Sequence, residues 1–320
     1  MSDNFSSTQT VHKTVLRSAH GVVASQHRKA AEAGAAILAA GGDAVDAAVA
    51  TSFAAGVVEP WMSGPMGGGA MVIHRADSKQ TRVVHFGMRS PGALNPADYP
   101  LSADGGVSAD LFPWPAVVED RNLAVPGTVA GMAAAHQAYG RLPWRDTLQG
   151  AIALAEQGPL IDWYTSLMIT GSARWLARDP DAAAMFLDEG CWPKTAGWTA
   201  LASRRLDMRR AAQTLRQLAE EGAQAFYQGD IGAALAADVQ AKGGCLSRDD
   251  LRAYEAQWFD ALAVPYRGGT VYATPQMTAG PNLARCLARL AQQLQPASRP
   301  DSQAFETYAQ VLLDEYQWRF

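Results

Sequence analysis

Three cysteines, six histidines and one glycine-rich run are the residues of this chain whose types and spacing invite a chemical reading. Cys191, Cys245 and Cys286 are odd in number and far apart, with neither a CxxC pair nor a histidine at metal-ligand spacing. They are expected to be reduced, buried thiols rather than disulfides or zinc ligands. A nucleophilic cysteine is the alternative, but no flanking signature supports it, and Cys286 lies in the apolar periodic run LARCLARLAQQL. The histidines, His12, His20, His27, His74, His85 and His136, form no HxxxH pair, so no metal site is expected and no cofactor is called for. The run VVEPWMSGPMGGGAMVI, Val57 to Ile73, is the stretch hardest to explain as ordinary packing. Ordering three adjacent glycines costs the most backbone entropy, so positions with φ > 0, or a close approach by another segment or a ligand, are expected there. A tight turn that only satisfies packing is the other reading. The order helix, glycines, strand is the reverse of a phosphate-binding loop, and no Gly-Lys-Ser/Thr follows, which argues against nucleotide binding.

The elements that must position this run read as follows. Gly21 to Ala24 predicts a short strand, and Ser25 an N-cap for the helix QHRKAAEAGAAILAA, which Gly41-Gly42 ends. Asp43 then caps AVDAAVATSFAAGVV, with Asp46 three residues on as a capping-box echo. The small alanine side chains let the two helices approach closely as an αα-hairpin packed on a sheet. Ala70–Arg75 and Arg82–Phe86 predict a β-hairpin, and Met88–Asn122 a long irregular segment. Thr128 is the expected cap of the helix ended by Gly140. Helical patterns continue to Ala225 and beyond, Ala261–Ala273 predicts a second hairpin, and two helices run on to Phe320.

Composition narrows the classes. Hydrophobic residues make up 48% of the 320 and charged residues 18%, lean enough in charge that part of the surface is expected to be covered by a partner. A formal charge of -4 and no Lys/Arg run give no footprint for nucleic acid or an anionic membrane. The first twenty residues hold no apolar core of a signal peptide, so a cytoplasmic protein is expected. Residues 1–20 read as a loosely ordered tail and 21–320 as one interleaved α/β unit.

Three stretches taken together resemble the γ-glutamyltranspeptidase family of N-terminal-nucleophile hydrolases. They are VVEPWMSGPMGGGAM, LAVPGTVAGMAAAHQAYGRLPW, and AFYQGDIGAALAADVQAKGGCLSRDDLRAYEAQWFDALAVPYRGGTVYATP, in that order and at near-family spacing. The resemblance covers the large-subunit portion. It implies an α/β (α+β) four-layer αββα sandwich completed by a small subunit cut from the same precursor by autoproteolysis. A threonine at the start of that subunit is the implied nucleophile, with its own amine as base, forming an acyl-enzyme passed to water or an amine. No catalytic residue is therefore expected in this chain, and Thr307 reads as an ordinary helix residue. The implied substrate is a small γ-glutamyl amide such as glutathione, and Ser63, Gly67, Gly68 and Arg89 are the candidate substrate-binding residues. In the family an Asp-Phe-Arg-Glu-like tetrapeptide supplies an arginine that clamps the substrate α-carboxylate. Here the matching residues are His85-Phe86-Gly87-Met88, so Arg89, two residues on, is either a relocated clamp or a surface arginine. An acylase of the same family with a different acyl group, and a non-catalytic scaffold subunit, are the competing readings.

Overall fold

The structure is a computed structural model that describes residues 15–95, 123–197, 203–295, 297 and 299–319. The expected irregular segment therefore lies outside the described residues beyond position 95, as does the tail before position 15. Helix α2 (Ala44–Val58) is buried on nearly every side, because its sequence offers alanine, valine and phenylalanine all round instead of a polar stripe. It packs against α1 (Arg28–Ala39) and against two helices from later in the chain, α3 (Thr128–Tyr139) and α4 (Trp144–Gln157). The αα-hairpin is present as expected. Its first cap is not: the nitrogen Nδ1 of His27, not the hydroxyl of Ser25, accepts the Lys29 N–H. Gly21–Ala24 has no strand ladder, and Val23 instead lies close to Gly34 of α1.

The predicted hairpin forms β1 (Gly69–Arg75) and β2 (Gln80–Phe86), paired antiparallel from Gly69 opposite Phe86 to Arg75 opposite Gln80. On the other side of β2 lies β5 (Gln257–Asp260), giving a three-stranded sheet in the order β1-β2-β5. QWFD was too short and too close to a turn to announce a strand in sequence. A small hairpin, β3 (Leu187–Asp188) and β4 (Trp192–Pro193), interrupts the helical middle made by α5 (Trp163–Leu176), α6 (Pro180–Phe186), α7 (Arg209–Glu221), α8 (Ala223–Tyr227) and α9 (Asp230–Ala241). The expected capped turn is the short helix α10 (Arg248–Arg252), with a full Ser247/Asp250 capping box. The second hairpin, β6 (Leu262–Tyr266) and β7 (Gly269–Ala273), packs against α11 (Gly280–Gln293), which pairs with α12 (Ser302–Arg319).

One large core joins α1 to α10 with the three-stranded sheet. A separate small cluster of Cys286, Leu290 and Val311 holds α11 to α12. Cys286 is buried as expected, but Cys191 is exposed and Cys245 only half-buried, since they sit in the connections after β3 and α9 and not on a core face. Thr307 lies within α12 and donates its hydroxyl to the Gln303 carbonyl four residues back.

Candidate active site

The glycine-rich run crosses from α2 to β1, and its geometry is fixed by three other segments. Glu59, just past the end of α2, accepts N–H bonds from Met62 (2.9 Å) and Ser63 (3.2 Å), which turns the chain at Pro60-Trp61. The carbonyl of Gly67 then accepts from Gly127 N–H (2.8 Å) and Thr128 N–H (3.1 Å). That carbonyl occupies the place of a cap at the start of α3, so Thr128 makes no side-chain cap and Gly127 is the N-cap. Gly68 has no room for a side chain: an added Cβ would lie 2.7 Å from Met88 N and 2.8 Å from Phe86 O. The close approach expected of these glycines is therefore made by the chain's own backbone at the end of β2. None of Gly67, Gly68 and Gly69 takes a positive φ.

The same strap, Val125 to Gly127, also holds Arg89. Arg89 and Val125 exchange both backbone hydrogen bonds, Arg89 N–H to Val125 O at 3.2 Å and Val125 N–H to Arg89 O at 2.8 Å. Its guanidinium donates through Nη2 to the Glu255 carbonyl at 2.9 Å and lies 4.9 Å from the centre of the Tyr254 ring. No carboxylate among the described residues pairs with it, and the side chain is exposed. Tyr254 in turn donates its hydroxyl to Gly87 O (2.8 Å) and stacks on Tyr227, with ring centres 5.7 Å apart and planes 12° from parallel. Tyr227 donates to Pro126 O (2.9 Å) and accepts from Ala130 N–H (3.2 Å). Burial pushes both phenols above the ordinary tyrosine value, most strongly at Tyr227, so both remain neutral donors. Tyr227, Tyr254 and Glu255 were not visible as site residues in sequence. They carry no spacing signal, and only the return of α8 and the α10–β5 turn to the strap brings them in.

On the other face of the glycine-rich run is a cavity of about 610 Å³. Ser63 and Gly67 line it together with Met62 and Met66, and Met208, Leu215 and Phe226 close it from the helical middle. Its wall is overwhelmingly carbon, with the Ser63 hydroxyl making no hydrogen bond to another described residue. The four candidate residues are thus divided. Ser63 and Gly67 face the cavity, whereas Gly68 and Arg89 belong to the strap side. Among the described residues, no nucleophile, base and orienter stand within hydrogen-bond reach of one another at either place, and no three of His, Cys, Asp and Glu form a metal-holding group.

Comparison with known proteins fits this arrangement. The sequence profile described as Gamma-glutamyltranspeptidase matches residues 30–320. Glutathione hydrolase 3 of Arabidopsis thaliana is 34% identical over 83% of this chain and 39% of its own length. The Acylase ACY 1 proenzyme of Pseudomonas sp. (strain V22) is 36% identical over 87% of this chain and 49% of its own length. The chain thus spans under half the length of these relatives. The crystal structure of Helicobacter pylori gamma-glutamyltranspeptidase superposes with a TM-score of 0.83 at 27% identity, covering 95% of this chain and 84% of that one. With a family profile matched over residues 30–320, relatives more than 30% identical and the fold shared, the chain belongs to the gamma-glutamyltranspeptidase family.

Proposed function

We propose that this chain is the large-subunit portion of an enzyme that cleaves γ-glutamyl amides of the glutathione type and passes the acyl group to water or an amine. A threonine in a small companion subunit of the same precursor is the nucleophile in this reading. The observation that carries the substrate assignment is Arg89. Its guanidinium is immobilised by the Glu255 carbonyl and the Tyr254 ring, yet no described carboxylate neutralises it. Such a group is pre-organised to receive a carboxylate through charge-assisted hydrogen bonds. The Tyr254 hydroxyl holds Gly87 O, and the Val125 ladder holds the Arg89 backbone, so the clamp is fixed at both ends. Relatives named as glutathione hydrolases, and proenzymes among them, support the same reading.

The test is release of p-nitroaniline from γ-glutamyl-p-nitroanilide by the polypeptide co-produced with its companion segment. Turnover with a covalent γ-glutamyl adduct on an N-terminal threonine is the expected result. Absence of both defeats the reading. A second reading, an acylase for a less polar acyl group, rests on the carbon-walled cavity beside Ser63 and Gly67 and on the similarity to the Pseudomonas acylase. Turnover of a hexanoyl anilide at a higher kcat/KM than the γ-glutamyl anilide would select it.

A further inference from the structure

We propose that a recess behind the glycine-rich run, walled by Trp61, Trp163 and Tyr164 with Glu59 at its base, binds the ammonium group of a small organic cation. The recess holds about 360 Å³ and lies where the turn after α2 meets the start of α5, with His27 and Asp162 also on its wall. Glu59 is only 6% exposed, yet its carboxylate has neither an ion pair nor a hydrogen bond to any other described residue. Among the described residues the one side-chain polar atom both sealed from solvent and without a partner is Trp61 Nε1. The Glu59 oxygens therefore reach open space, and the open space that Glu59 lines is this recess. A carboxylate so deeply buried without a donor is uncommon, because its desolvation is normally offset by a counter-charge or by hydrogen bonds.

The walls say which counter-charge fits. Trp61 and Tyr164 meet edge to face at 6.1 Å, and Trp163 leans on Tyr164 at 5.5 Å, 74% exposed at the mouth. Aromatic rings lining the same recess as a carboxylate favour an alkylated or primary ammonium, through ring quadrupole and charge together. They offer too few oxygen donors for a hard metal ion. The N-terminus of α5 would favour an anion, but Asp162 already caps it, accepting from both Thr165 N–H and Thr165 Oγ1 at 2.8 Å. With Glu59 and Asp162 both on the wall and no lysine or arginine there, an anionic ligand is repelled. The recess is separate from the carbon-walled cavity, but the two share the turn at Met62: Tyr164 Oη lies 4.0 Å from Met62 Sδ, and Glu59 O holds Met62 and Ser63. This site stands whether or not γ-glutamyl amides are the substrate.

Isothermal titration of the intact protein, with its companion segment present, decides the matter. Choline and ethanolamine are the probes, and 3,3-dimethylbutan-1-ol, the uncharged carbon isostere of choline, is the control. Saturable binding of at least one cation and none of the isostere is expected. Glu59→Gln should weaken the cation about tenfold to a hundredfold, and Trp163→Ala at the exposed mouth roughly threefold. No saturable binding of either cation overturns the proposal and leaves a water-filled recess. Equal binding of the isostere overturns it too, as does unchanged affinity in a Glu59→Gln protein of native melting temperature. If Glu59→Gln does not fold, Trp163→Ala decides, and unchanged affinity there is fatal. A lysine or arginine of the companion segment found seated against Glu59 in a crystal structure of the complex would also end the proposal.

Discussion

In the proposed reading, Arg89 moves the carboxylate clamp two residues along the chain. Gly87 stands where the resemblance places the clamp, and a Cβ built there would lie 2.8 Å from His85 Cε1, so the position cannot be refilled without moving that ring. The ladder to Val125 and the contacts with Tyr254 and Glu255 hold the guanidinium two residues further on. Arg89→Ala is expected to lower kcat/KM for γ-glutamyl-p-nitroanilide by roughly tenfold to a hundredfold, the effect of losing a charge-assisted hydrogen bond. The same anilide lacking its α-carboxylate should be affected little. Equal loss on both substrates would make Arg89 a structural residue of the strap. The position of Arg89 was legible in sequence from its offset relative to the missing arginine. Its support was not, because Tyr254 and Glu255 lie more than 160 residues away, and only the pairing of β5 with β2 brings that segment back.

At the scale of elements, α2 organises the site by both its ends, and its polar start does more than its sequence discloses. Asp43 and Asp46 form the full capping box that S/T/D-x-x-D/E spacing suggests. Asp46 is also fully buried, and accepts from the backbone N–H of Arg141 (3.0 Å) and Leu142 (3.3 Å), fastening the end of α3 onto α2. His136 Nε2 stands 3.6 Å from the same carboxylate. Asp46→Ala leaves three backbone donors unsatisfied, so a loss of about 3 kcal/mol is expected, visible as a lower midpoint in urea unfolding with m unchanged. An unaltered midpoint would mean that water replaces the carboxylate. The other end of α2 feeds the glycine-rich run. Since Met88 N and Phe86 O occupy the space beside Gly68, Gly68→Val is expected to destabilise the fold by about 1–3 kcal/mol, through overpacking of backbone against backbone. Activity should then fall in proportion to the folded fraction. Loss of activity at an unchanged melting temperature would instead put a ligand at Gly68. Sequence could report that something approaches these glycines, but not that it is the chain's own strand end.

For the whole molecule, helices and hairpins were legible from period and caps, whereas sheet order was not, because β1-β2-β5 joins segments some 170 residues apart in sequence, with the helical middle between them. That middle is itself fastened by long-range ion pairs. Asp179 caps α6 through Ala182 N–H and pairs with Lys242 at the end of α9 at 2.6 Å. The hydrogen bond from Lys242, followed by that from Ala182 N–H, holds the Asp179 carboxyl below its ordinary value of 3.8. A folded-state value below the unfolded one adds stability that is present above pH 3.8 and lost as pH falls through the lower folded value. Wild type should therefore melt above Asp179→Asn at neutral pH, and the two curves should converge below pH 3.8. A constant gap down to pH 2 would assign the difference to packing alone.

The proposed division of labour between this chain and a companion subunit also concerns the whole molecule. Neither the strap nor the cavity brings a nucleophile, a base and an orienter together among the described residues, yet the chain supplies the clamp candidate, the glycine-rich run and an apolar cavity beside it. Positioning groups without a nucleophile cannot form an acyl-enzyme, however well they orient a substrate. Residues 1–320 purified alone are accordingly expected to release no p-nitroaniline from γ-glutamyl-p-nitroanilide above the uncatalysed rate, while equilibrium dialysis still detects weak binding of L-glutamate that Arg89→Ala abolishes. Co-production with the companion segment should restore turnover, and replacing its N-terminal threonine by alanine should remove turnover but leave binding intact. Turnover by the isolated chain would place a nucleophile within these 320 residues and defeat the proposed division outright. Binding that survives Arg89→Ala would leave the division standing but move the clamp to the companion.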